Sequence, residues 1–500
     1  MTTIFDDIFG RENWGERPAL LGPDACTYGE LLTAAETLAQ ILRDNGAANQ
    51  VVALCVPPSA NYPTALLAAW RAEATTVCIN PNAAPEEKAY VLENSGATLL
   101  VTDLRPDKTE SFADGAPETA WHSLRVIRLA PEEPAQVEPG DHLLVYTSGS
   151  TSRPKGVMLT ANALSSNVRA ITDDLALAPA DRSIVFTPPA YTYAISQTLT
   201  HLWAGGAMVQ WRHGMMYPAQ ILKLIEEHRL TGLACNPTFM RMFLQVKSAQ
   251  MPDLGSVRYV KSAGQPLFPD LARRMAGLFP NARILCTYGC TENSPRICHH
   301  WLPPNLPDGD QPWSVGWPLR GVKVRVSDGK GGEAPAGSVG EIQISGSSLM
   351  RGYWRAPEIN ASRLVDGWFL TGDQGVIGPD GGLSVLGRAD NIIGVGHEKV
   401  APEEVEAIIA KLEIVTDVAV AGIADPLLDK VPVALVVTGS DWANVETEIR
   451  ALCRQKLSAA KNPRRIIQVA QIPKTTYGKI DRKGVRALLD RITSEEPVGE

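Results

Sequence analysis

Apolar positions along residues 28–104 follow two alternating periods. Tyr28–Asn45 repeats them at helical spacing with one polar face, and Gln50–Val56 is a short unbroken apolar run. An Ala/Leu-rich helix over Tyr62–Ala72 follows, then a strand over Thr75–Ile79, a helix over Pro85–Asn94 and a strand over Thr98–Thr102. Strand and helix in regular alternation predict βαβ units and a largely parallel sheet covered by helices. The same rhythm returns from 142 to 289, with strands expected near 143–147, 183–187, 207–211, 232–236, 257–261 and 283–287. Two βα-rich lobes of similar size account for it.

Near Gly316 the texture changes. Val322–Val326, Gly340–Ser345 and Trp368–Thr371 read as strands between Gly and Pro turns, and Asp373–Leu386 as a hairpin through Pro379-Asp380-Gly381-Gly382. Beyond Arg388 a compact α+β unit is expected, with helices near 402–411, 442–457 and 482–493 and strands near 417–421, 432–437 and 465–469. The fold class is α/β. A large N-terminal domain, residues 1–389, holds βα-layered sheets and a β-rich subdomain, and a small α+β domain spans 390–500.

Five hundred residues exceed one core, and 44% apolar with 20% charged is an ordinary globular balance. A net charge of −8 argues against a nucleic-acid partner, which would call for a basic face. The eight cysteines are scattered, and Cys55, Cys78, Cys235 and Cys286 sit in apolar runs as small hydrophobes. Cys286 and Cys290 have the spacing of half a metal site, with no second pair to complete zinc. The N-terminus has no signal-peptide core, and no apolar run reaches the ~18 residues of a membrane span. A cytoplasmic protein with reduced thiols is expected.

Five motifs carry chemistry. Residues 146–156, Tyr-Thr-Ser-Gly-Ser-Thr-Ser-Arg-Pro-Lys-Gly, follow an apolar strand and combine hydroxyls, free backbone N–H groups and glycine with Arg153 and Lys155. Such a loop either cradles phosphate or is a flexible linker, and the strand before it favours phosphate. It is not a Walker A loop, because Lys155 precedes Gly156 rather than Ser or Thr. Tyr288-Gly289-Cys290-Thr291-Glu292 sets a carboxylate at a strand end, a credible Mg²⁺ ligand beside phosphates. Thr371-Gly372-Asp373 puts an acid after an apolar strand, where it needs partners. Gly387-Arg388-Ala389-Asp390 follows, and then Pro473-Lys474-Thr475-Thr476-Tyr477-Gly478-Lys479-Ile480-Asp481-Arg482.

In this order the motifs resemble those of the adenylate-forming superfamily, which includes acyl-CoA synthetases, adenylation domains and luciferases. The resemblance covers nearly the whole chain. It implies condensation of a carboxylate with ATP to an acyl-adenylate, followed by transfer to a thiol, with CoA the first choice. It also implies roles. Thr147, Ser148, Gly149, Ser150, Thr151 and Lys155 hold phosphates, with Gly264 beside the nucleotide. Tyr288 lies against adenine, Thr291 on the α-phosphate, Glu292 on Mg²⁺, Asp373 and Arg388 on the ribose. Asp390 is a hinge about which the C-terminal domain moves, and Lys479 is the adenylation lysine.

The acyl pocket is expected from Tyr191, Thr192, Tyr193, Cys235, Gln265 and Gly289. No acid lies between Asp181 and Glu226, so an α-amino acid substrate is disfavoured. A substituted aromatic acid is the first choice and a plain fatty acid the second, with a purely core role for the same aromatics as the lesser alternative. His397 stands where relatives carry a second glycine in the loop that admits CoA. It is either harmless, narrows that passage, or acts as a general base for an amine or other nucleophile, and a carrier-protein thiol or an amine is the alternative acceptor to CoA. A diazotase activating nitrite and a nucleotide-binding pseudoenzyme are the further alternatives. The oligomeric state is not legible.

Overall fold

The computed structural model describes residues 4–10, 14–104, 118–121, 123–135, 137–138, 140–147, 153–213, 217–247, 251–309, 311–396, 398–425, 427–475 and 480–495. Two large sheets organise the first 320 residues or so. One has eight strands in the order Gly352–Tyr353, Lys155–Thr160, Asp141–Thr147, Thr75–Cys78, Val51–Cys55, Leu99–Thr102, Leu124–Arg128 and Glu118–Trp121. The other has nine, in the order Trp317–Pro318, Arg296–Trp301, Arg283–Gly289, Tyr259–Ser262, Gly232–Cys235, Arg182–Val185, Ala207–Gln210, Pro18–Leu21 and Cys26–Thr27.

Both sheets are parallel at their centres. Val52 pairs with Thr76 on one side and Leu99 on the other, and Leu233 with Val260. Their edges are antiparallel, a larger share than the βαβ rhythm suggested. Some of those edge strands return through direct connections too short for a crossover helix, as between Gly289 and Arg296, whereas Gly352–Tyr353 arrives from a distant part of the chain.

The apolar runs are explained by burial on both faces. In Val51–Cys55, Val52 and Leu54 enter a core shared by the two sheets, and Val51, Ala53 and Cys55 enter a separate outer core. Leu285 and its neighbours Ile284 and Cys286 divide in the same way. Between the sheets lie helices Tyr28–Asp44, Asn61–Arg71, Ala161–Leu175 and Thr192–Ala204. Helix Tyr28–Asp44 begins on a capping box in which Thr27 and Glu30 satisfy each other's backbone N–H. Tyr28 then donates from its buried hydroxyl to the Gly206 carbonyl at 2.8 Å, fastening the helix to the second sheet.

A third, antiparallel sheet joins Val322–Val326, Val339–Gly346, Trp368–Ile377 and Leu364–Val365, with Leu383–Arg388 also on Trp368–Ile377. The expected hairpin through 379–382 is therefore present. The C-terminal unit has a sheet in the order Glu398–Val400, Ile393–Val395, Asp429–Val437, Asp417–Asp425, with Arg465–Gln468 parallel to Asp429–Val437. Its two cores draw only on residues from Ile393 onward, so it is a separate, smaller domain. Among the described residues no helix is long and apolar enough to cross a membrane.

Gly232 shows how tightly the second sheet is packed. A Cβ there would stand 2.2 Å from the ring of Tyr259 on the next strand, which is only 2% exposed. Gly232→Ala should lower stability by about 1–3 kcal/mol through overpacking, read as a lower midpoint of N-terminal-domain unfolding in urea. An unchanged midpoint would mean that Tyr259 swings aside freely.

Candidate active site

The foot of the phosphate-type loop is built by register. Thr147 ends one strand and pairs with Lys155 at the start of the next, so the two face each other where the loop leaves the sheet. Ser148, Gly149, Ser150 and Thr151 lie outside the described residues. Lys155 Nζ stands 5.8 Å above the ring of Tyr353, within cation–π range. Tyr353 donates from its hydroxyl to Glu292 Oε1 at 2.7 Å.

Glu292 sits on the single 3₁₀ turn Thr291–Asn293, directly after strand Arg283–Gly289. The turn is braced from behind. Ser348 donates to Asn293 Oδ1 at 3.1 Å, Asn293 Nδ2 donates to the Arg296 carbonyl at 2.8 Å, and Ser294 Oγ to the Ser348 carbonyl at 2.9 Å. Gly289 has no alternative at its position, because a Cβ would stand 2.3 Å from the Pro295 carbonyl oxygen. Thr291 Oγ1 lies 3.1 Å from Thr192 Oγ1, bringing the first turn of helix Thr192–Ala204, with Tyr191 at its N-cap, against the same site.

A second cluster joins the nine-stranded sheet to the third sheet. Tyr288 donates from its hydroxyl to Asp373 Oδ2 at 2.5 Å. Asp373 pairs in register with Arg388, whose guanidinium lies 3.6 Å from the carboxylate and donates to the Thr371 carbonyl at 3.0 Å. Arg388 also comes within 3.7 Å of Asp390, so the expected hinge residue touches the cluster. Burial raises the Asp373 carboxyl above its ordinary pKa, and the Tyr288 hydrogen bond and Arg388 oppose that shift. Cys290 lies between the clusters. Burial, then Glu292 and Asp373, push its thiol well up, so it stays protonated and unreactive.

The expected acyl-pocket residues fall on the ends of parallel strands and the segments that follow them, where open α/β sheets place ligands. Gln265 Oε1 accepts from Thr238 Oγ1 at 3.0 Å, fixing the Ser262–Pro266 segment to helix Pro237–Leu244. Gly264 adopts φ +79°, a left-handed turn that favours glycine. Cys235 is buried, and burial raises its thiol. The Tyr193 hydroxyl is buried without a hydrogen-bond partner among the described residues. Lys261 lies on its ring, Nζ 4.4 Å from the centroid. His397 and Lys479 lie outside the described residues. The glycine before His397, Gly396, is left-handed at φ +58°.

Sequence reasoning missed Tyr353 and Lys261. Nothing in the spacing around Tyr353 marks it, because its role comes from the pairing of Gly352–Tyr353 with Lys155–Thr160. Lys261 did leave a signal, a lone charge in the apolar strand Tyr259–Ser262. It is 4% exposed, and no hydrogen bond or ion pair reaches it among the described residues. Burial, then the like charge of Arg296, hold its pKa well below that of an ordinary lysine.

The Tyr288–Asp373 pair has a titration signature. With its pKa raised, folded Asp373 holds a proton where the unfolded chain has lost it, so its contribution to stability declines as pH rises from about 4. Tyr288→Phe removes a group that opposes the shift. The decline between pH 4 and 7 should steepen, and stability at pH 7 should fall by about 1–3 kcal/mol, measured by thermal unfolding. Parallel pH profiles for the two proteins would show that the hydrogen bond does not govern this carboxylate.

Comparison with known proteins follows the same division. Residues 10–354 match the family of AMP-binding enzymes and residues 404–479 its C-terminal domain. A feruloyl-CoA synthase from Amycolatopsis sp is 32% identical over 496 residues, covering 95% of this chain and 98% of that protein. The amide bond synthetase McbA from Marinactinospora thermotolerans superposes with a TM-score of 0.82 at 26% identity, covering 97% of this chain and 99% of that one. An anthranilate CoA ligase bound to anthranoyl-AMP shares the fold at a TM-score of 0.85 and 23% identity, covering 99% and 98%. Matching over residues 10–354 and 404–479, the chain belongs to the AMP-binding enzyme family and is an ATP-dependent, AMP-forming ligase of the acid–thiol type.

Proposed function

We propose that this enzyme activates a substituted aromatic carboxylic acid and transfers the acyl group to CoA. The observation that carries the acyl reading is the pairing of Lys261 with Tyr193. A buried lysine amine on an aromatic face, with no hydrogen bond or ion pair among the described residues, is costly unless something else partners it. A hydroxyl, methoxy or other acceptor at the far end of the acyl group would do so, and a plain alkyl chain would not. The similarity to a feruloyl-CoA synthase supports the same class.

In the first half-reaction the acid's oxygen attacks the α-phosphorus of ATP and pyrophosphate leaves. The protein's task is positioning and charge stabilisation. In our reading Thr147, Ser148, Gly149, Ser150, Thr151 and Lys155 hold the phosphates, and Thr291 meets the α-phosphate. Tyr288 packs on adenine near Gly264, and Asp373 and Arg388 take the ribose hydroxyls. Lys479 supplies positive charge where it builds on the phosphate. Glu292 suits Mg²⁺, which takes one or two carboxylates together with substrate phosphates. Among the described residues no cluster of three or more His, Cys, Asp or Glu gathers into an all-protein cage. When bound, the ion would neutralise phosphate charge, and Tyr353 would hold the Glu292 carboxylate in one orientation.

The second half-reaction needs a thiol at the carbonyl. We assign the domain boundary to residues 389 and 390, with rotation about Asp390 exchanging the Lys479 loop for the His397 loop. An amine acceptor is the second reading, supported by the departure at His397 and the similarity to an amide bond synthetase.

ATP–pyrophosphate exchange across a panel of acids tests the proposal. Hydroxylated or methoxylated aromatic acids should exceed alkanoates of similar length in kcat/KM. Lys261→Met should narrow that preference by about tenfold, the worth of one polar contact. Below the ~10.4 of an unfolded lysine, this group's contribution to wild-type stability should rise with pH, because the unfolded chain binds a proton there that the folded chain does not, and the variant should lose that part of the slope. Preference for alkanoates would overturn the acyl reading.

The acceptor is tested at His397. His397→Gly should raise CoA-dependent turnover and leave pyrophosphate exchange unchanged. Were the imidazole a base for an amine, amide formation should instead fall, and its pH–rate profile should lose a limb near ~6.5. Efficient wild-type CoA use that the substitution does not alter would remove any special role for His397.

A further inference from the structure

Arg482 ends the motif that carries Lys479, yet nothing above gives it a task. It opens helix Arg482–Glu495, and its side chain is 20% exposed. Its guanidinium forms a fork on Glu406, Nη1 to Oε1 at 2.5 Å and Nη2 to Oε2 at 3.0 Å. Nη2 also reaches Glu403 Oε1 at 2.7 Å, and Nη1 the Val420 carbonyl at 3.1 Å. Glu406 Oε1 accepts in turn from the Val420 N–H at 2.7 Å. One cation thus gathers helix Pro402–Ile409 and strand Asp417–Asp425 at the point where segment 473–481 returns to the domain.

That segment is closed at its foot. The Asp481 N–H donates to the Pro473 carbonyl at 2.9 Å, Lys474 and Ile480 form an antiparallel bridge, and Lys474 Nζ lies 2.6 Å from Asp417 Oδ2. At the other end of the network Glu403 faces the N-terminal domain. Its Oε2 is buried without a hydrogen-bond partner among the described residues, 3.4 Å from where a Cβ on Gly387 would stand. Gly387 is left-handed at φ +128° and immediately precedes Arg388. Glu403 and Glu406 lie one turn apart and would repel without Arg482 between them. Burial raises the Glu406 carboxyl, and Arg482 opposes that shift.

A buried bidentate pair fixes direction as well as charge, which a lysine in its place would not do. We propose that Arg482 is a positioning residue for adenylate formation. It ties the described ends of segment 473–481, Pro473–Lys474 and Ile480–Asp481, to the end of helix Pro402–Ile409 that faces Gly387, and its part in the first half-reaction runs through Lys479. The inference rests on the reading of Lys479 as the adenylation lysine. The second half-reaction does not use Lys479, so it should not depend on Arg482.

The test compares the two half-reactions in full-length enzyme. Arg482→Lys keeps a cation and loses the fork. It should lower the kcat of ATP–pyrophosphate exchange by about 10–100-fold, the scale of a small misplacement of a reacting group. Thioester formation from supplied acyl-adenylate should stay within about twofold. In a Lys479→Ala background, Arg482→Lys should cause no further loss of exchange, because its effect runs through that lysine. A merely structural arginine would lower both half-reactions together and deepen the loss in the double variant; either outcome overturns the proposal, as does normal exchange in Arg482→Lys. If Arg482→Lys fails to fold, Glu403→Gln, which keeps the Arg482–Glu406 fork, should give the same split at smaller size, and no split there counts against the proposal. Normal exchange in Lys479→Ala would refute the reading of Lys479 itself, an outcome distinct from failure of Arg482.

Discussion

Two tyrosine–carboxylate hydrogen bonds, Tyr353 to Glu292 and Tyr288 to Asp373, hold three separate sheets to one another at the candidate site. Tyr353 belongs to the eight-stranded sheet, Tyr288 to the nine-stranded sheet, with Glu292 on the turn that follows, and Asp373 to the third sheet. Each carboxylate is partly or wholly withdrawn from water, so each must be partnered, and the partner comes from a different sheet. The chemistry of the site and the assembly of the large domain therefore rest on the same contacts.

Positive charge is rationed to match. The chain is acidic overall, yet the described site gathers Lys155 and Arg388 around Glu292 and Asp373, and Lys261 near Tyr193. Lys155 stands over an aromatic ring and Arg388 beside a carboxylate, both at strand ends, where the proposed reading puts the anionic nucleotide. Lys261 differs in being buried with no hydrogen bond or ion pair among the described residues. In the proposed reading, that difference assigns Lys261 to the acyl group rather than to ATP. Nearby, the Arg296 and Asp174 side chains are both buried and 3.6 Å apart, with His299 against the same aspartate, and Arg296 and Asp174 act on Lys261 in opposite directions.

The large-scale fold was legible because its signals are periodic. The runs at 51–55, 75–78 and 99–102 are buried on both faces, and that burial is what an unbroken apolar strand records. The antiparallel edges were less legible, because pairing direction leaves no trace in a short strand. Motif positions such as Glu292, Asp373 and Arg388 were legible from their order. Tyr353 was not, since what matters is its register against Val157 on a strand some two hundred residues earlier. Lys261 could have been found as a charge interrupting a core strand. Arg482 was visible as a motif letter, but its bonds to Glu403 and Glu406 depend on a tertiary return that no spacing encodes.

The central claim is that the acid's own oxygen attacks the α-phosphorus of ATP. It is tested most directly by following that oxygen. With an aromatic acid carrying ¹⁸O in its carboxylate, ATP and CoA, the AMP released should contain one labelled oxygen, and pyrophosphate none. Label in orthophosphate accompanied by ADP would mean attack at the terminal phosphate through an acyl phosphate. That result would contradict the account.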